Sequence, residues 1–205
     1  MTTPTALILP SEPPLTPAAE RILAAASTLF YTHGIRAVGV DKIAEAAGTT
    51  KKTIYDRFGS KDGLIVAYLQ RRSLRWRSLV LDFIRPLPDG REQALAVFDA
   101  TDEWMASWVR GCGFINAYAE LGGTDHPGVA IIVEEKTWVR DLFEYTCVAG
   151  GHPDPAFLAG QLTLLHEGSI VARTAGAQDD ASQVARRTAE ALLGVPVREH
   201  SPSRG

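Results

Sequence analysis

No proline falls between Pro17 and Pro86, and that gap decides what the first part of the chain can be. It is rich in Ala, Leu, Glu and Arg, the residues that lose least on entering a helix. Proline then returns only at Pro86, Pro88, Pro127, Pro153, Pro155, Pro196 and Pro202, where it can start a helix or sit in a link. There is no sustained two-residue alternation and no Asn-Gly hairpin turn, so strands have little to support them. The expectation is an all-α chain. Its 205 residues suffice for one large domain or two small ones with a real apolar core.

Helix punctuation divides this chain. Residues 1–15, with four prolines, read as a disordered leader without the basic start of a secretory signal. Thr16-Pro17 is a cap followed by proline at the first helical position, and Gly34 supplies a stop. A short helix is expected from about Val40 to Ala47, a turn at Gly48-Thr49-Thr50, and a third helix over Lys51–Phe58. Ser60 caps a long fourth helix to about Ile84. Later helices are expected near 91–110, 113–122, 128–149, 155–176 and 180–194. The domains so defined are a head over 16–62, a body over 63–196 and a flexible tail over 197–205. No apolar run approaches the ~18 residues of a bilayer span. Two cysteines, Cys112 and Cys147, make no disulfide framework. A reducing cytoplasm fits both facts, and no membrane partner is expected.

Charge separates head from body. From Pro17 to Arg77 eleven Lys and Arg stand against five acids, a net of +6; the rest of the chain carries ten against nineteen, a net of −9. A basic head on an acidic body suits binding to a polyanion. Residues 40–58 have the layout of a helix-turn-helix. Small residues (Ala44, Ala47, Gly48) stand where two backbones must approach, and Ile54 and Phe58, four apart, point inward. Lys51, Lys52, Tyr55 and Asp56 then face outward, with Thr50 at the N-cap. Amines, hydroxyls and a phenol at a helix N-terminus suit a phosphate-lined groove.

The run Arg21-Ile-Leu-Ala-Ala-Ala-Ser-Thr-Leu-Phe30, then Gly34, Val40-Asp-Lys-Ile-Ala-Glu-Ala-Ala-Gly48, Thr53-Ile-Tyr-Asp-Arg-Phe58 and Ser60-Lys-Asp-Gly-Leu64 resembles the TetR/AcrR family of bacterial repressors. Weaker similarity extends through Gly111–Leu121 and Leu165–Ile170. The resemblance implies an N-terminal three-helix helix-turn-helix head joined by a long fourth helix to a ligand-binding and dimerisation body. It implies that Thr50, Lys52, Thr53 and Tyr55 meet bases or phosphates of a palindromic double-stranded operator, and that Lys61 holds the DNA backbone. Two positions depart from the family pattern. Gly39 stands where a capping hydroxyl is usual. Asp56 stands where a His or Arg is often found, and its carboxylate either accepts from a cytosine amino group or pairs with Arg57 or Lys52.

In the body, Trp104, Trp108, Phe114, Tyr118 and Trp138, joined by Asn116, Glu120 and His166, suit a concave pocket for an apolar or aromatic small molecule. The resemblance places an effector site in this region. Small residues Gly160, Gly168, Ala172, Ala175 and Gly176 among Leu158, Leu162, Leu165 and Val171, with the stripe Val184, Thr188 and Leu192, suit a self-associating surface. By resemblance the last two helices form a four-helix homodimer interface. Glu134-Glu135 reads as a solvated helix face, and Arg71, Arg72, Arg75 and Arg77 as solvated or paired with body carboxylates. No catalytic residue, metal site or cofactor is expected: there is no GxSxG elbow, no phosphate loop and no metal-ligand histidine spacing. The function expected is a ligand-released transcriptional repressor. A helical enzyme with an unrecognised site and a ligand-independent DNA binder are the alternatives.

Overall fold

The computed structural model describes residues 5–9, 14–107 and 109–194, so the tail over 197–205 lies outside the described residues. Among them are nine α-helices and no strand: α1 Pro17–His33, α2 Val40–Ala46, α3 Lys51–Phe58, α4 Lys61–Ile84, α5 Arg91–Ala106, α6 Gly113–Leu121, α7 Gly128–Ala149, α8 Pro155–Ala175 and α9 Ala181–Gly194. The caps that the sequence announces are made. Thr16 Oγ1 accepts from the Ala19 N–H, Thr50 Oγ1 from Thr53 N–H at 3.2 Å, and Ser60 Oγ from Gly63 N–H at 2.9 Å. Each satisfies a donor that a helix start leaves unpaired. Gly39 begins α2 without a side-chain cap.

Two apolar cores share α4. Its first half gives Leu64, Ile65, Tyr68 and Leu69 to a core with Ile22, Phe30, Ile43 and Ile54, and this core also takes Phe114, Ala117 and Leu121 from α6. Its second half gives Trp76, Val80, Leu81 and Ile84 to a second core with Phe98, Trp138, Leu142, Phe143 and Leu162. A fully buried Leu or Ile contributes roughly 1.5–3 kcal/mol. The change from one core to the other therefore falls inside α4, near Arg71–Ser73, and α6 packs in part on the head core.

Residues 5–9, part of the expected leader, are ordered. Thr5–Leu7 forms a 3₁₀ turn against α7, Ala6 is buried in the body core, and Trp138 Nε1 donates to the Ala6 carbonyl at 3.0 Å. The apolar patch Ala6–Leu9 has found a surface to cover, which composition alone does not disclose.

Candidate nucleic-acid interface and buried cavity

Helix α3 is held by its inner side alone. Ile54 is fully buried and Phe58 packs against the head core, so residues 51, 52, 55 and 56 all face solvent. The face is furnished as expected: Thr50 and Thr53 hydroxyls lie 3.0 Å apart at the N-terminus, and Tyr55 is exposed on the next turn. Both lysines are paired. Lys51 Nζ meets Asp41 at 2.6 Å, which raises the lysine pKa, and Lys52 Nζ meets Asp56 at 2.7 Å. Of the partners open to Asp56, the structure picks Lys52, one helical turn away. Lys61 is used inside the head: its Nζ donates to the Ile35 carbonyl at 2.8 Å, tying the α1–α2 link to the start of α4.

The link itself is gripped by the body. Glu120 of α6 accepts from the Ile35 N–H at 2.9 Å and the Arg36 N–H at 2.6 Å. A Cβ on Gly34 would sit 2.9 Å from the same carboxylate, and Gly34 has φ +91°, so glycine is required there twice over. A second joint is built on Tyr31. Its hydroxyl accepts from the Arg110 N–H at 2.8 Å and donates to the Gly111 carbonyl at 3.2 Å, while Arg110 Nη1 donates to the Tyr31 carbonyl at 2.7 Å. The Arg72 guanidinium lies 4.8 Å over the Tyr31 ring and 5.3 Å over the Trp104 ring, so one cation bridges head and body aromatics. Gly113 gives it room: a Cβ there would come within 2.4 Å of Arg72 Nε.

Below Arg72 lies a cavity of about 30 Å³, lined by Trp76, Trp104, Met105, Phe114, Val139, Ile170 and the polar groups Arg72, Glu135, Lys136 and His166. Of the eight residues assigned to an effector site, Trp104, Phe114 and His166 meet here, whereas Glu120 holds the α1–α2 link. Asn116 instead donates to the Arg110 carbonyl at 2.8 Å. Tyr118 is exposed on a separate groove over α6 and α7, and Trp138 faces α7's other side with its indole spent on Ala6. Trp108 lies outside the described residues.

Glu135 escaped the sequence reading. It is 1% exposed, not a solvated face, and accepts from the Ser73 hydroxyl and from Arg77 Nε at 2.9 Å. Burial pushes its carboxyl up, against the pull of Arg77. Arg71, Arg72 and Arg77 are likewise buried, with Arg71 on Glu20 and Arg77 on Glu135 and Glu134. The signal available was position: Ser73 and Arg77 are four apart on α4, one turn of a face that needs an acid opposite. Lys136 Nζ meets both Glu167 oxygens at 2.7 Å and the Cys112 sulfur at 3.4 Å. Burial works to raise Glu167, but the adjacent His166 imidazole and the Lys136 charge outweigh it and hold the carboxyl at about 2.

On α8, Leu158 and Leu162 point into the chain's own core and Leu165 packs against it, so the apolar face first assigned to a partner is already occupied. The outward face carries Phe157 at 65% and Leu164 at 75% exposure, with Val171 and the open Gly168 in line; Ala172 is half-buried beside them. Val184 and Thr188 of α9 are exposed and Leu192 is partly buried. Leu158 and Leu164 are six apart and so look in different directions, which the run of leucines conceals.

Among the described residues no cluster of ligands could hold a metal ion, and no helix is long and apolar enough to cross a membrane. Residues 22–68 match the profile of bacterial regulatory proteins of the tetR family. Over 80 residues the chain is 38% identical to the HTH-type transcriptional activator FasR of Mycolicibacterium smegmatis, a match covering 39% of this chain and 36% of that protein. The chain thus matches little more than a third of that relative's length. Solved structures match over far more. A TetR-family transcriptional regulator, SCO4454, of Streptomyces coelicolor superposes with a TM-score of 0.80 at 29% identity, over 86% of this chain and 94% of that one. A TetR-type regulator, sav143, of Streptomyces avermitilis gives 0.74 at 31%, over 87% and 97%.

Proposed function

Because the chain belongs to the TetR family of bacterial transcriptional regulators, helix-turn-helix proteins and not enzymes, we propose that it is a cytoplasmic homodimeric repressor released from a palindromic operator by a small molecule. The observation that carries this reading is the sharing of α4 between two cores, with Arg72 stacked between Tyr31 of the head and Trp104 at the cavity. A ligand that moves Trp104 moves the cation resting on it, and Tyr31 lies directly above.

Thr50, Lys51, Lys52, Thr53 and Tyr55 enter the major groove, and two copies of α3 lie roughly 34 Å apart in successive turns of the duplex. Lys51 and Lys52 exchange their acids for phosphate or base edges on contact. The dimer forms through Phe157, Leu164, Gly168 and Val171 of α8 with Val184 and Thr188 of α9. Such an exposed apolar stripe has a strong drive to be covered. The effector is apolar or aromatic, and neutral or cationic, since the body carries the excess of acids.

Selection from random duplexes should return an inverted repeat, and operator binding should weaken about 5- to 150-fold with effector, with DNA weakening the effector by the same factor. Leu164→Asp should give monomers by ultracentrifugation and abolish tight operator binding. Wild-type monomers at micromolar concentration would overturn the dimer, and recovery of no inverted repeat the operator reading. A promoter fusion reads the sign: the relative FasR is an activator, and a promoter that loses expression on deletion of this gene would replace repression by activation.

A further inference from the structure

We propose that the cavity beneath Arg72 takes a flat aromatic molecule carrying an O–H or N–H donor, gripped at that donor by the Glu135 carboxylate and the His166 imidazole. This rests on the reading of the cavity as the effector site and adds the chemical class of the effector.

The argument is a balance of donors and acceptors. On Glu135, Oε2 receives Ser73 and Arg77, while Oε1 is buried and meets no hydrogen-bond donor. His166 is 2% exposed; its Nδ1 lies 3.5 Å from the Glu167 carboxylate, and neither ring nitrogen has a hydrogen-bond partner. With the imidazole proton on the Glu167 side, Nε2 presents a lone pair. In that tautomer Glu135 Oε1 and His166 Nε2 are the two acceptors left open at the cavity lining. The cations are engaged: Lys136 spends its ammonium on Glu167 and Cys112, and Arg72 lies between two rings. An anionic ligand would meet a carboxylate without a spare countercharge. An O–H donor satisfies one of two buried acceptors whose desolvation is otherwise uncompensated, and an NH2 group can satisfy both.

The walls select the body of the ligand. Trp76 stands 5.7 Å from Trp104 and 6.0 Å from His166, centroid to centroid, and Phe114, Met105, Val139 and Ile170 complete an apolar lining. At about 30 Å³ the cavity matches one water and not a ring, so entry displaces a side chain. Trp104 is only partly buried and lies in the last turn of α5, so it is the wall able to yield. Its displacement disturbs Arg72 directly.

Four probes of one shape separate the terms: p-cresol, p-toluidine, p-xylene and 4-methylbenzoate, titrated calorimetrically into the full chain without DNA. p-Cresol and p-toluidine should bind about tenfold or more tightly than p-xylene, and 4-methylbenzoate should be weaker still. Tryptophan emission should change with binding, since two wall residues report it. His166→Phe should cut the preference for p-cresol over p-xylene several-fold, with Glu135 left as the one acceptor. Glu135→Gln turns an amide donor toward the cavity and should shift preference to 4-methylbenzoate; if that variant does not fold, His166→Phe still decides. Equal binding of p-xylene and p-cresol, tightest binding of the benzoate, or no binding of any probe at millimolar concentration would overturn the assignment. Operator anisotropy with each bound probe is read separately. p-Cresol that binds as described yet leaves operator affinity unchanged would overturn the effector reading and leave the ligand class standing.

Discussion

On α3, Lys52 and Asp56 meet at 2.7 Å in open solvent; in the body, Arg77 and Glu135 meet at 2.9 Å with almost no solvent at all. The distances are alike and the energetics are not. An exposed pair one helical turn apart is worth a few tenths of a kcal/mol and can be exchanged for another partner at little cost. A buried pair has been stripped of water, and removal of one member strands the other. The head thus keeps its α3 charges in reserve for an outside ligand, whereas the body has spent most of its own on holding α4 against α7 and α7 against α8. Among the atoms it leaves unspent, Glu135 Oε1 and His166 Nε2 belong to residues that line the cavity.

The sharpest attack on that contrast is Arg77→Met, which leaves the Glu135 carboxylate without its main countercharge. Denaturant unfolding should show a loss of about 3–5 kcal/mol; a loss under 1 kcal/mol would mean that the buried pair is as dispensable as the surface one. Next comes acid. Glu167 is held at about 2, well below an ordinary carboxylate, so its contribution is full above the unfolded value near 4.5 and drains away as pH falls toward 2. Wild type should exceed Glu167→Gln by roughly 2–3 kcal/mol at pH 6, and the two should converge by pH 2. A gap that does not narrow with acid would assign the difference to packing.

Tyr31→Phe tests the joint between the two regions. Loss of the hydroxyl shared by Arg110 N–H and the Gly111 carbonyl should cost about 1–2 kcal/mol. The smallest effect on folding belongs to Lys52→Ala, whose melting should stay within about 0.5 kcal/mol of wild type. The same change should weaken operator binding by about 1–3 kcal/mol if Lys52 reads a guanine. A destabilised Lys52→Ala would show that the surface pair is structural after all.

Helix boundaries were legible because they are local. Thr16, Gly34, Thr50 and Ser60 signal their own caps, and the expected ends of α3 and α7 coincide with the structure. Which residues share a cavity was much less so, since that depends on how helices far apart in the chain are set against one another. Phe114, Trp104 and His166 were found by type, whereas Tyr118 and Trp138, the same types, face elsewhere. Glu135 looked solvated because its neighbour Glu134 is, although adjacent helix residues point about 100° apart. The leucines of α8 mark a buried face, and periodicity cannot say whether the chain itself or a second copy buries it.

The Glu120 clasp bears on engineering. Regulators are often treated as modular, with a DNA-reading head to be cut at the start of α4 and transplanted onto another sensor. Here such a graft would carry Ile35 and Arg36 away from the carboxylate that receives their two N–H groups, and Leu64–Leu69 away from Phe114 and Leu121. The unit that travels intact is the head with α4 to about Ser73 and α6 beside it, two stretches separated in the chain. A recipient scaffold therefore needs an acid at the position of Glu120, facing a glycine at the position of Gly34, before its sensor can speak to this head.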